Sequence, residues 1–241
     1  MNPQTKLKFL KVEFDTEIEA REIPAFRGAI AAKVGREHHL FHNHRPGDKN
    51  YFHRYPLIQY KRLGRHPMIL CMYAGVEEIH KYFEKNNWDI QLQGRDLEMK
   101  IHRLDMNQFE LRVWDKMLRY QLFNWLGLNQ QKYQEFEEVR GLAEKATFLE
   151  KILVQNVLSF AKGMDWHIEE EVKVKILDIP SRNWIRFKGL RMLAQDLQFE
   201  SNVFLPNFIG LGGKVSVGFG TLRERRVKEG RSRRFQQVAE D

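Results

Sequence analysis

Residues 7–34 read LKFLKVEFDTEIEAREIPAFRGAIAAKV and contain two different hydrophobic periodicities. The first nine residues, LKFLKVEFD, alternate between apolar and polar side chains, which is typical of a half-buried strand. The last twelve, IPAFRGAIAAKV, carry small and apolar residues at helical spacing. This stretch therefore predicts a strand followed by a helix, and its continuation decides the fold.

The next 70 or so residues complete a recognisable order of elements. Two strand-like segments, YPLIQYKRL (55–63) and PMILCMYAG (67–75), are joined by a turn at 64–67. VEEIHKYFEKNN (76–87) has the pattern of a helix with a charged outer face, and WDIQLQGRDLEMKIHRL (88–104) that of two strands turning at Gly94. Strand, helix, strand, strand, helix, strand is the order of the ferredoxin-like fold.

The second half of the chain repeats this pattern without repeating the sequence. It starts with FELRVWDKMLRYQLFNW (109–125) and contains an amphipathic helix, LEKILVQNVLSFAKGM (149–164), with Leu149, Ile152, Leu153, Val157, Leu158 and Phe160 mostly on one face. Two alternating strands, EEEVKVKILDI (169–179) and NWIRFKGLRMLAQ (183–195), follow on either side of Pro180–Ser181, and then LQFESNVFL (197–205) and VGFGTLRER (217–225). The sequence thus predicts an α+β fold of two tandem ferredoxin-like (RRM-like) modules with antiparallel sheets, spanning 1–105 and 106–225 and followed by a basic tail at 226–241.

Composition limits the class of protein. A chain of 241 residues with 42% hydrophobic residues can bury substantial cores. Its one cysteine, Cys71, lies in the apolar run MILCMY, excludes an internal disulfide and is predicted to be a core residue. Because no apolar run approaches the length of a membrane span and charged residues come early in MNPQTKLKFLKVEFDTE, we expect a cytoplasmic protein that does not bind membranes.

Positive charge is concentrated in two segments. The formal net charge is +8, but residues 27–66 alone carry nine Lys or Arg against two Asp or Glu, and residues 223–234 carry seven against two. The remainder of the chain is mildly acidic. Two basic segments on an acidic body indicate a surface for a polyanion such as a nucleic acid, while a solvated loop and a disordered tail are the alternative.

Five of the sixteen glycines fall within residues 210–220. Four of them form two similar units, Gly210-Leu211-Gly212 and Gly218-Phe219-Gly220, with the fifth glycine, Lys214 and Ser216 between the units. Glycine permits positive φ and leaves room for a phosphate beside the backbone amides, and the lysine and serine can add a cation and a hydroxyl. Val215 breaks both the dinucleotide-binding fingerprint and the Walker motif. The alternative is a purely structural turn entering the last strand.

The segment FLPNFIGLGGKVSVGFGTLR (204–223) resembles the C-terminal signature of the CRISPR-associated repeat-cleaving endoribonucleases, members of the repeat-associated RNA-binding (RAMP) superfamily. The resemblance implies that this loop joins a helix to a strand in the second module and helps to bind RNA. It also implies cleavage of the CRISPR precursor transcript within each repeat, by metal-independent attack of the substrate's own 2′-hydroxyl on the adjacent phosphate, without a cofactor. The residues we assign to RNA binding are Arg27, Arg45, Arg54, Lys61, Gly210, Gly212, Lys214, Ser216, Gly218, Gly220 and Arg223.

Such a reaction needs a base, an acid and positive charge at the phosphate. Histidine can serve as either base or acid near neutral pH, and six of the nine histidines lie in residues 27–66. We predict His42 and His44 as the catalytic pair, because two residues apart on an extended chain their side chains project to the same side. Tyr51 joins them as a candidate for phosphate contact or base stacking. The break at Gly35–Arg36 predicts that these histidines occupy a loop, and HRYPLIQYK (53–61) also resembles members of the family.

Two competing functions remain open. The histidines, with Asp48, could instead hold zinc in a metal-dependent nuclease, although the letters H-N-H do not themselves form the motif of that name. A non-cleaving member of the same superfamily would hold guide RNA as a subunit of an effector complex. The expected partners are CRISPR repeat RNA and, for either RNA-binding function, effector subunits, with the chain a monomer or a homodimer. Cleavage requires the histidines to lie within reach of the glycine-rich segment, whereas holding RNA does not.

Overall fold

The computed structural model describes residues 5–42 and 55–225. The first module consists, in chain order, of β1 (Thr5–Phe14), a 3-10 turn (Ala20–Glu22), α1 (Ile23–Val34), α2 (His39–His42), β2 (Ile58–Leu63), β3 (His66–Met72), α3 (Ala74–Glu78), α4 (His80–Phe83), β4 (Ile90–Leu92), β5 (Arg95–Leu97) and β6 (Ile101–Leu111). Four of these strands form an antiparallel sheet in the order β2-β3-β1-β6, and β4 pairs only with β5. This order confirms the ferredoxin-like prediction.

The opening stretch folds as its two periodicities predict. Along β1, Leu10, Val12 and Phe14 pack into the core beneath α1, whereas Leu7 and Phe9 face the opposite side of the sheet. Helix α1 matches the predicted IPAFRGAIAAKV in both of its bounds. Pro24 in its first turn has the backbone angle that a helix start requires.

The second module repeats the fold with one change. Its elements are β7 (Val113–Trp125), α5 (Gln130–Glu138), α6 (Leu142–Gly163), β8 (Val174–Phe187), β9 (Leu190–Val203), a 3-10 turn (Val215–Val217) and β10 (Thr221–Glu224). The sheet order is β10-β7-β9-β8, again ferredoxin-like. The connection between β9 and β10, where this fold usually places its second helix, contains only the 3-10 turn. On α6, five of the six predicted apolar residues are buried, and Leu158 is exposed.

The predicted division into two strands around Pro180–Ser181 is wrong. Strand β8 continues through these residues, and the pairing with β9 shifts register between Ile176 and Ser181. Because β8 is the edge strand of its sheet, the missing N–H of Pro180 costs the sheet little. The chain turns instead at Lys188 and Gly189, both at positive φ as a tight hairpin turn requires.

The predicted module boundary between residues 105 and 106 falls inside a strand. Pairing of β6 with β1 continues as far as Leu111, and β7 of the second sheet begins at Val113. The changeover therefore lies at residue 112. The predicted tail, 226–241, lies outside the described residues. In the described ranges, no helix is both long and apolar enough to cross a membrane.

The two modules share a hydrophobic core. Leu7, Phe9, Leu70 and Met72 from the first sheet belong to the same buried cluster as the apolar side chains of α6 and the second sheet. The first sheet is thus covered on both faces, by its own helices on one side and by the second module on the other. Cys71 is buried as predicted, and burial raises the pKa of its thiol.

Candidate active site

The glycine-rich loop, defined here as residues 209–220, is held in shape by its own backbone. The Leu211 N–H donates to the Gly220 carbonyl at 2.9 Å, and Gly210 forms an isolated bridge with Thr221. The two glycine units therefore lie side by side, with the 3-10 turn between them. Contrary to the expectation from the family resemblance, the loop follows strand β9 and not a helix.

Packing within the chain explains why glycine is needed in this loop. A Cβ at Gly220, whose φ is +59°, would lie 1.9 Å from the Leu211 carbonyl oxygen. A Cβ at Gly212, whose φ is +92°, would lie 2.7 Å from Trp125 Nε1. The expected room for a phosphate beside these two residues is therefore occupied by protein atoms. Five backbone amides of the loop also donate to protein carbonyls, namely those of Leu211, Gly213, Val217, Gly218 and Gly220.

The loop docks against the first module at three points. The Tyr55 hydroxyl donates to the Gly210 carbonyl at 2.8 Å, and one terminal nitrogen of Arg27 donates to Ser216 Oγ at 3.1 Å. Val217, only 6% exposed, belongs to the hydrophobic core beneath α1. The glycine-rich loop thus belongs by sequence to the second module but is packed into the first.

Lys61, predicted to bind RNA, is instead buried at this junction. Its side chain is 2% exposed, and its ammonium donates to Thr221 Oγ1 at 3.1 Å. The threonine hydroxyl in turn donates to the Gly218 carbonyl at 3.0 Å. Burial lowers the pKa of Lys61 to about 7 because the charged form is desolvated. The alternating pattern of β2 did not distinguish this inward face from a solvent-facing one.

His42 ends a short helix rather than lying on an extended chain or in a loop. The helix, α2, is anchored by the buried Phe41, whose carbonyl accepts a hydrogen bond from the Tyr60 hydroxyl at 3.2 Å. The His42 ring nitrogen Nε2 lies 2.8 Å from the Arg36 carbonyl oxygen. Since a carbonyl only accepts, Nε2 carries a proton, and Nδ1 is the basic nitrogen of the neutral ring.

Arg27 connects this helix to the glycine-rich loop. Its second terminal nitrogen donates to the His42 carbonyl, so one guanidinium contacts both His42 and Ser216. Among the predicted site residues, Arg27, His42 and Ser216 are therefore brought together. His44, Arg45, Tyr51 and Arg54 lie outside the described residues.

Two exposed cations lie in or next to the glycine-rich loop. Lys214 adopts a left-handed backbone with φ +56° at the start of the 3-10 turn and is exposed. Arg223 on β10 is exposed and places its guanidinium 4.9 Å from the centre of the Phe208 ring. Both are accessible to a negatively charged ligand.

The sequence did not reveal that the β8–β9 hairpin reaches the loop. The rings of Phe187 and Phe219 meet edge to face, with centroids 5.5 Å apart. On the same hairpin, Trp184 is 45% exposed, and the Arg191 guanidinium lies 4.5 Å from the centre of the Trp184 ring. The hairpin was missed because residues 183–195 were predicted as one strand, although Lys188 and Gly189 within them form the turn.

The metal-site alternative receives no support from the part of the chain that the structure describes. Within residues 5–42 and 55–225, no three His, Cys, Asp or Glu side chains converge on a point. His38 is paired with Glu78, with Nδ1 2.8 Å from Oε1. Three of the candidate ligands, His44, Asp48 and His53, lie outside these ranges.

Comparison with known proteins gives consistent matches over both modules. Residues 5–110 match the family model of the Cas6b N-terminal domain, and residues 112–225 match that of the Cas6b C-terminal domain. An uncharacterised protein of Methanocaldococcus jannaschii is 35% identical over 114 residues, which are 47% of this chain and 76% of that protein.

Two solved structures have the same fold as this chain. A crystal structure of Cas6b superposes with a TM-score of 0.81 at 26% identity, covering 91% of this chain and all of the other. A CRISPR RNA processing endoribonuclease Cas6b shares the fold, with a TM-score of 0.69 at 23% identity over 91% of this chain and all of that one. With family models matched over both modules, this chain belongs to the Cas6b family.

Proposed function

We propose that this chain is an endoribonuclease that cleaves CRISPR precursor RNA within its repeats to release guide RNAs. Membership of the Cas6b family and the similarity to a structure described as a CRISPR RNA processing endoribonuclease support this class of activity. The observation that carries the proposal is the contact of one Arg27 side chain with both His42 and Ser216. It brings the histidine helix within reach of the glycine-rich loop, which cleavage requires and RNA holding does not.

The proposed chemistry is internal transesterification without a metal ion. The 2′-oxygen of the substrate attacks the adjacent phosphorus and gives up its proton, and the bond from phosphorus to the 5′-oxygen breaks. A proton is delivered to the leaving 5′-oxygen, so the products end in a 2′,3′-cyclic phosphate and a 5′-hydroxyl. His42 and His44 are proposed as the pair that moves these protons, with Tyr51 beside the phosphate.

The residues proposed to hold the RNA lie in the glycine-rich loop, on β10 and, in sequence, next to His44. Lys214 and Arg223 supply exposed positive charge, and the loop amides other than the five that donate to protein carbonyls are proposed as further donors. Arg45 and Arg54 belong to the same proposal on their position in sequence beside His44. Lys61, being buried, is not included. We place the reaction in the cytoplasm, with CRISPR effector subunits as further partners of the monomer or homodimer.

The test is cleavage of end-labelled repeat RNA by the full chain in excess EDTA, with analysis of the product ends. We expect one cut and a cyclic phosphate, and no cut when the nucleotide 5′ to the cleaved bond lacks its 2′-hydroxyl. Tight binding without cleavage would overturn the proposal in favour of a guide-RNA-holding subunit. Cleavage that returns only when a divalent metal is restored would overturn the chemistry in favour of a metal-dependent nuclease.

A further inference from the structure

The end of α2 depends on side chains from elsewhere in the first module. The last four carbonyls of any helix have no hydrogen-bond donor within the helix. In a helix of only four residues, almost every carbonyl therefore needs a donor from outside the helix. Here the Phe41 carbonyl accepts from the Tyr60 hydroxyl, and the His42 carbonyl accepts from Arg27. A cation at this end also suits the negative pole of the helix. The position of His42 is therefore fixed in part by the guanidinium of Arg27.

The same guanidinium is fixed on its other side by the glycine-rich loop. Ser216, its acceptor, immediately precedes Val217, which is buried in the core beneath α1. Gly218 follows, and a Cβ there would lie 3.1 Å from Ile23 Cδ1. The Ser216 hydroxyl thus stands on a segment that has little freedom to move relative to α1. Arg27 and Ser216 are 189 residues apart in the chain, so this contact forms only in the complete fold.

We propose that Arg27 is a positioning residue: it binds both Ser216 in the docked glycine-rich loop and the His42 carbonyl at the end of α2, and so sets the position of His42. This inference rests on the proposed function, because it assumes that His42 takes part in cleavage. It reassigns Arg27 from the phosphate contacts predicted from sequence, since both of its terminal nitrogens donate to protein oxygens. Arginine suits the role because its planar fork holds two acceptors in fixed directions, which the single ammonium of lysine does not.

The experiment compares Arg27→Met, Arg27→Lys and Ser216→Ala in the full chain. Two quantities are measured with repeat RNA: the dissociation constant as a function of salt, and the single-turnover cleavage rate at saturating protein. We expect Arg27→Met to lower the saturated rate on the order of tenfold or more with less than about a threefold change in affinity, and Arg27→Lys not to restore the rate. Arg21→Met is the matched control, because the Arg21 side chain is 82% exposed and its loss removes the same charge.

A double-mutant cycle tests whether Arg27 affects the cleavage rate through its contact with Ser216. Ser216→Ala should slow cleavage in the wild-type background and have no further effect in the Arg27→Met background. The proposal is overturned if the two effects multiply independently, or if Arg27→Lys restores the rate while Arg27→Met weakens binding and lowers its salt dependence. The latter pattern would identify a phosphate contact.

A measurement without RNA separates this proposal from the proposed function. Amide hydrogen exchange of residues 39–42 should become faster in both Arg27→Met and Ser216→Ala, because each change loosens the end of α2. Unchanged exchange in both variants would overturn the positioning role whatever the activity. If His42→Ala cleaves as fast as the wild type while exchange responds as expected, the catalytic assignment of His42 fails and the structural coupling stands.

Discussion

Replacing Gly220 with alanine should destabilise the fold strongly, and the structure provides a control for the cause. The new Cβ would lie 1.9 Å from the Leu211 carbonyl oxygen, a backbone atom that cannot move without breaking the pairing of the two glycine units. Gly220 also has φ +59°, where an alanine costs about 1–2 kcal/mol. Overpacking of this kind adds about 1–3 kcal/mol. We therefore expect the free energy of unfolding to fall by about 2–5 kcal/mol.

Gly64 separates the two contributions. Its φ is +61°, nearly the same as that of Gly220, but nothing lies within 4 Å of the Cβ position. Gly64→Ala should therefore lose only the backbone cost of about 1–2 kcal/mol. Denaturant unfolding followed by circular dichroism measures both variants against the wild type. If Gly220→Ala loses no more stability than Gly64→Ala, the close packing of the loop is not what requires glycine, and our account of the loop is wrong.

Three further predictions concern single side chains. Because burial lowers the pKa of Lys61 in the folded chain to about 7, the unfolded chain binds more protons than the folded chain above that pH. The stability of the wild type relative to Lys61→Met should therefore rise between about pH 7 and pH 10. Urea unfolding at several pH values measures this difference, and a difference that does not change with pH would contradict the prediction. His42→Ala should slow cleavage at saturating protein by a factor on the order of 10² or more, with nearly unchanged RNA affinity. The control His80→Ala, at an exposed histidine, should change neither the rate nor the affinity. If His42→Ala cleaves as fast as the wild type, His42 has no part in the mechanism. Arg223→Gln should lower the salt slope of RNA binding by about 0.7 if it contacts one phosphate of a single strand, and an unchanged slope would place it outside the interface.

The fold could be predicted because its signals are local. Alternation along LKFLKVEFD and helical spacing in IPAFRGAIAAKV each depend on neighbouring residues, and both survive intact in β1 and α1. The division of β8 at Pro180 was wrong because a proline is acceptable on an edge strand, and strand order is not a local property. Helix α2 was missed because four residues are too few to show a period.

The candidate site was predictable in its residue types more than in its contacts. Glycine, arginine and histidine were singled out by their chemistry, but their partners are distant in sequence. Charge alone made Lys61 look like an RNA ligand, whereas its strand turns it toward Thr221, 160 residues later. Arg27 likewise differs from an exposed phosphate ligand because it donates to the protein oxygens of Ser216 and His42, and no sequence pattern displays such contacts.

The insertion of Val217 into the core beneath α1 has a consequence for folding. The first module cannot complete its hydrophobic core until the chain has been made almost to its last strand. We therefore expect the two modules to fold and unfold as one cooperative unit, even though each has the strand order of an independent domain. If one module were replaced by that of a distant relative, the residue at the position of Val217 would also have to fit the core beneath α1.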